Sequence, residues 1–140
     1  MGFFGTYLFE GGQWTEAEGA RRAGEPWLFV NIYDSVIATV MYHPSDPGMG
    51  MAFLGATPRT YFDDATASAP TDVGLESLGL ANWWAHRARA GEPARDDKQT
   101  ELMDYLADDD IIERRDAVVE DTVVRFLATL DLPPPADLAR

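Results

Sequence analysis

The sequence predicts an α+β fold, with an antiparallel sheet of about four to five strands in the N-terminal half and about three C-terminal helices packed on one face of it. Two observations support this prediction. Apolar residues recur with a period of about two before residue 62 and with a period of about 3.6 after residue 72. A chain of 140 residues is also expected to form a single domain with its own core. We divide this domain, 1–140, into a β-rich part at 1–62, a loop at 63–72, a helical part at 73–131 and a proline-rich tail at 132–140.

The first strands are predicted from short apolar runs between turn residues. The run FFGTYLFE at 3–10 ends at Gly11, and residues 15–26 contain two glycines and a proline without a usable period, which indicates a loop. The run WLFVNIY at 27–33 is largely apolar on both faces. It is therefore expected to be a central strand.

A hairpin is predicted next. Only Asp34 and Ser35 separate the central run from VIATVMY at 36–42, which favours a tight antiparallel turn, with a bulged continuous strand as the alternative. Residues 51–62 predict one or two further strand segments, interrupted by Pro58.

Three helices are predicted in the second half of the chain. Gly91 and Pro93 are expected to end the first helix, and the prolines at 133–135 follow the third. The predicted helices cover about 73–90, about 97–107 and about 111–130. A helical wheel of the third helix leaves Glu120 outside one apolar arc, which contains Ile112, Val119, Val123, Phe126, Leu127 and Leu130.

The consecutive aspartates at 108–110 are interpreted as a helix start and not as a metal site. Asp110 and Glu113 have the spacing of a capping box, and so do Asp96 and Gln99 before the second helix. Calcium-binding loops space their acids differently and carry a glycine that is missing here. No cofactor is expected.

The charge of the chain limits its partners. It has 24 acidic and 11 basic residues, a net charge of −13, and many of the acids lie between residues 91 and 121. Such a surface repels phosphate, so nucleic-acid binding is not expected, and no apolar run is long enough for a membrane span. The lack of cysteine and of a signal-like N-terminus favours a soluble, cytoplasmic protein.

The first helix contains two adjacent tryptophans that cannot share one face. A helical wheel places Leu75 and Trp84 in the apolar arc of this helix, and Trp83 outside it with Glu76 at helical spacing. Arg87 follows Trp83 by four residues and is able to lie over its ring. Trp83 is expected either to be exposed or to be covered by a loop. The predicted partner-binding residues are Trp83, Arg87, Asp104, Asp108 and Asp109.

No catalytic motif stands out, so the sequence favours a non-enzymatic, acidic binding protein that docks a basic protein partner. In composition the chain is similar to the small immunity-type inhibitors of basic toxins and nucleases, although no motif identifies a family. The alternative is a small metal-dependent enzyme, or a small-molecule-binding module with a pocket built from loops. The residues that would form the metal site are His43, Asp46, Asp63, Asp64 and His86.

Overall fold

The computed structural model of the protein describes residues 2–16, 26–107 and 118–138. These contain the strands β1 (Gly5–Glu10), β2 (Gln13–Glu16), β3 (Trp27–Tyr33), β4 (Ile37–His43) and β5 (Met51–Gly55). The helices are α1 (Pro58–Tyr61), α2 (Val73–Ala88), α3 (Glu92–Met103) and α4 (Val119–Thr129).

The strands form one antiparallel sheet in the order β2-β1-β3-β4-β5. β3 lies at the centre, as the apolar character of both its faces predicts. Leu28, Val30 and Ile32 of β3 are at most 1% exposed and belong to a core cluster that also contains side chains of α2 and α4. This packing of C-terminal helices on an N-terminal sheet confirms the predicted α+β class.

The predicted hairpin joins β3 to β4, and the alternative of a continuous strand is wrong. Asp34 and Ser35 both adopt left-handed backbone angles, with φ of 53° and 56°. The Val36 N–H donates a hydrogen bond of 3.0 Å to the Tyr33 carbonyl and closes the turn. Aspartate tolerates this backbone region better than most residues do, which allows a turn without glycine.

Two local predictions in the first half of the chain are wrong. β2 extends to Glu16, inside the segment predicted to be a loop, because it pairs with β1. The segment after β5 is a short helix and not a strand. The Thr57 hydroxyl accepts a hydrogen bond from the Thr60 N–H, and Pro58 occupies the first turn, where its missing N–H costs nothing.

The start of α3 also differs from the prediction. The helix begins at Glu92, five residues before the predicted start at 97. Asp96 therefore lies inside the helix and caps nothing, and its carboxylate accepts hydrogen bonds from Arg95. Gly91 and Pro93, expected to end the preceding helix, instead begin this one, and α2 ends at a left-handed Arg89.

The predicted third helix is α4, which begins later than expected. Val118 has an extended backbone, so the described helix starts at residue 119, while Asp110 and Glu113 lie outside the described residues. Glu120, predicted to be on the polar face, is buried, and its carboxylate accepts a hydrogen bond from Ser35. The apolar arc itself is confirmed, because its described members Val119, Val123, Phe126, Leu127 and Leu130 are all buried.

A buried carboxylate fixes the loop between β4 and β5 to helix α2. Glu76 is 2% exposed, and its Oε1 accepts hydrogen bonds from the Tyr42 hydroxyl (2.7 Å) and from the Gly50 N–H (3.1 Å). The Met51 N–H also donates to Glu76 Oε1 (3.3 Å), and the Met49 N–H donates to Glu76 Oε2 (2.8 Å). Burial, together with the bond to Glu76, raises the pKa of Tyr42. These four donors replace the hydrogen bonds to water that a buried carboxylate loses, so Glu76 has a structural role and connects α2 to the β4–β5 loop.

Candidate protein-docking surface

Four aromatic side chains from three segments of the chain meet at the surface beside the β3–β4 turn. We call them the aromatic patch: Phe4, Tyr33, Tyr61 and Phe62, which are 54%, 40%, 38% and 50% exposed. Ring centroids are 5.2 Å apart for Phe4–Tyr33, 5.7 Å for Tyr33–Phe62 and 4.9 Å for Tyr61–Phe62, all with edge-on geometry. Large exposed aromatic clusters of this kind are typical of interaction sites.

The N-terminal segment reaches the patch because it is bonded to the β3–β4 turn. The Gly2 N–H donates to Asp34 Oδ1 (3.0 Å), and the Phe3 N–H donates to Ser35 Oγ (2.7 Å). The Ser35 N–H in turn donates to the Phe3 carbonyl (3.0 Å). These bonds hold Phe4 against Tyr33.

Helix α1 supplies the other half of the patch. Phe62 is the C-terminal cap of the helix, and its N–H donates to the Pro58 carbonyl. The Tyr61 hydroxyl donates a bond of 3.0 Å to Asp34 Oδ2, so one aspartate connects the turn, the N-terminal segment and α1. The rings are therefore held in position by bonds within the fold itself.

Negative charge lies next to the rings. Asp34 is part of the turn, and Asp63 and Asp64 follow Phe62 directly and are exposed. Hydrogen bonds from the hydroxyl and N–H of Thr66 lower the pKa of the Asp64 carboxyl, so this group stays ionised at neutral pH.

A cleft of about 520 Å³ adjoins the patch and shares Phe4 with it. Its acidic groups are Glu16 and Asp137, and the Tyr7 hydroxyl donates a hydrogen bond of 3.1 Å to Asp137. Burial and that bond raise the pKa of Tyr7 to about 12. The residues that line the cleft are Phe3, Phe4, Gly5, Thr6, Tyr7, Glu16 and Asp137. Like the aromatic patch, the cleft therefore combines aromatic side chains with acidic groups.

Of the two alternatives predicted for Trp83, exposure on the helix surface is wrong. Trp83 is 3% exposed, and its indole N–H donates to the His43 carbonyl at 3.1 Å. Trp84 is the half-buried residue of the pair. Its N–H donates to Asp131 Oδ2 at 2.8 Å, and Lys98 lies 4.5 Å above its ring.

The wheel failed because it placed Glu76 on the polar side of α2. The bonds to Tyr42 and the β4–β5 loop require Glu76 to face inward, and Leu80 and Trp83 follow at helical spacing on that face. Leu75, which the wheel placed in the core, is 40% exposed.

The other predicted partner-binding residues fall in different places. The Arg87 guanidinium lies 5.2 Å above the Phe9 ring and not above Trp83. Asp104 is exposed at the C-terminal cap of α3. Asp108 and Asp109 lie outside the described residues. The aromatic patch was not predicted from the sequence, although the sequence shows Tyr33 at the end of an apolar run and the adjacent pair Tyr61-Phe62.

The five residues of the metal hypothesis all lie in the described part of the chain, where no three His, Asp or Glu side chains come close enough to hold an ion. His43 stacks on Trp27 with ring centroids 6.0 Å apart. Asp63 and Asp64 instead flank the aromatic patch, and His86 lines a separate pocket.

Comparison with known proteins adds no further assignment. No family model, no curated protein and no solved structure matches this chain. Among the helices of residues 2–16, 26–107 and 118–138, none is long and apolar enough to cross a membrane.

Proposed function

We propose that this protein is a non-enzymatic binding protein that docks a basic protein partner on its aromatic patch. The observation that carries the proposal is the cluster of exposed, edge-packed rings fixed by Asp34. Aromatic side chains bury a large area while losing little conformational entropy, which is why they dominate binding hot spots.

The sign of the charge indicates the chemistry of the partner. The whole chain carries −13, and Asp34, Asp63 and Asp64 lie at or directly beside the patch. A negative field speeds the encounter with a positively charged protein and disfavours acidic competitors. Arginine side chains of the partner suit this surface in two ways, because a guanidinium stacks on aromatic rings and pairs with carboxylates.

The proposal is tested with purified basic proteins: egg-white lysozyme, pancreatic ribonuclease, cytochrome c and core histones. We expect the wild type to bind at least one of them measurably at about 50 mM salt, and about tenfold more weakly at about 300 mM, since salt screens the steering field. The double variant Phe4→Ser with Phe62→Ser should weaken that binding by about thirtyfold or more, as loss of two hot-spot side chains does.

The matched control is the double variant Met49→Ser with Leu75→Ser. These side chains are 89% and 40% exposed and lie outside the patch, so their loss removes similar apolar area elsewhere on the surface. Binding should stay within about twofold of the wild type. Absence of binding to every protein of the panel, or equal weakening by both double variants, would overturn the proposal.

A further inference from the structure

A second concave site lies apart from the aromatic patch, at the C-terminal turn of α2. Its volume is about 230 Å³, and its walls include the rings of Phe9 and Trp83, each 3% exposed. The turn between β1 and β2 and the segment after β4 close its sides. The lining residues are Phe9, Gly11, Gly12, Pro26, Pro44, Trp83, His86 and Arg87.

The positive charge of Arg87 lies at the mouth of this pocket. Arg87 is exposed there beside the imidazole of His86, and its guanidinium is held 5.2 Å above the Phe9 ring. Within residues 2–16, 26–107 and 118–138 it forms no salt bridge, whereas Arg95 and Lys98 each pair with a neighbouring acid.

Among the described residues Arg87 has no carboxylate partner, although the chain has 24 acids and 11 bases. With respect to this part of the chain, the guanidinium of Arg87 keeps its hydrogen-bond donors available for an anion from outside. Its contact with Phe9 holds it at the mouth, which reduces the entropy that ligand binding would otherwise cost.

We propose that this pocket binds a small aromatic carboxylate. The apolar body packs against Phe9 and Trp83, and the carboxylate pairs with Arg87, whose planar fork matches two carboxylate oxygens. The volume lies below the ~300–1,000 Å³ of sites for drug-sized molecules, so the ligand has one or two rings. This site is independent of the docking surface, because the two share no residue.

The probe is indole-3-acetate, and its neutral counterpart indole-3-acetamide tests the need for charge. Binding is followed by NMR through the indole N–H of Trp83, while the N–H of Trp84, which is bonded to Asp131 outside the pocket, serves as internal control. We expect a saturable shift of the Trp83 signal alone, with the acid binding about fivefold or more tightly than the amide.

Arg87→Gln should weaken binding of the acid by about fivefold and leave the amide unchanged, since it removes one charge-assisted contact. The matched variant Arg89→Gln changes the net charge equally at an exposed residue outside the pocket, and its affinity should stay within about twofold. A missing or unsaturable Trp83 shift, equal affinity for acid and amide, or equal weakening by Arg87→Gln and Arg89→Gln would each overturn the proposal.

Discussion

The two glycines Gly74 and Gly79 of helix α2 should respond in opposite directions to replacement by alanine. A Cβ at Gly79 would lie 2.4 Å from the Tyr42 hydroxyl and 2.6 Å from the Ser45 carbonyl oxygen. A Cβ at Gly74 would meet only Asp72 Oδ1, at an ordinary contact distance of 3.5 Å. Helix propensity alone favours alanine at both positions, by about 1 kcal/mol.

The magnitude at Gly79 follows from what the new methyl group displaces. Overpacking costs about 1–3 kcal/mol, and here one of the obstructing atoms belongs to the backbone, which yields less than a flexible side chain. Moving the Tyr42 hydroxyl also weakens its 2.7 Å bond to the Glu76 carboxylate, and bonds to charged groups contribute about 1.5–3 kcal/mol. After the gain in propensity, Gly79→Ala should destabilise the fold by about 2–3 kcal/mol.

Urea unfolding followed by tryptophan fluorescence measures both variants. Gly74→Ala should raise the free energy of unfolding by about 0.5–1 kcal/mol. Gly79→Ala should lower it, which for a domain of this size corresponds to a melting temperature about 6–10 °C lower. If Gly79→Ala is as stable as Gly74→Ala, the close packing of α2 on Tyr42 and the β4–β5 loop is refuted.

Two further predictions concern buried titratable groups. Glu76→Gln should lower the free energy of unfolding by about 2–4 kcal/mol, because the new amide nitrogen cannot accept hydrogen bonds from the surrounding N–H donors. In the same urea assay, Glu101→Gln at an exposed position should change the free energy of unfolding by less than about 0.5 kcal/mol. Equal effects of the two variants would contradict the structural role of Glu76. In the folded state, burial and the contact with Asp137 raise the pKa of the Tyr7 hydroxyl from 10.0 to about 12. The stability contributed by the protonated hydroxyl is therefore complete below pH 10 and is lost as the pH rises towards 12. Tyr7→Phe should therefore lose less stability than the wild type between pH about 9 and about 11.5, and a parallel loss in both proteins would exclude this assignment.

Local patterns were enough to predict the elements whose environment follows from their own residues. The run WLFVNIY is apolar on both faces, and such a strand has to lie between two others, where β3 is found. The apolar arc of α4 is equally informative, because only one orientation of the helix buries Val123, Phe126 and Leu127 in the core. Period and turn chemistry are local properties, and they fixed the fold class.

Only the tertiary structure decided which way α2 faces and where the candidate sites lie. Glu76 is an acid that a wheel assigns to solvent, yet Tyr42 and distant backbone donors bring it inside, and Trp83 follows it into the core. The aromatic patch joins rings near positions 4, 33 and 61 that no spacing in the sequence relates. The sequence by itself determined the period of the apolar residues, the turns and the net charge. Contacts between residues distant along the chain depend on how the elements pack, so only the packing determined where the aromatic patch and the pocket beside Arg87 lie.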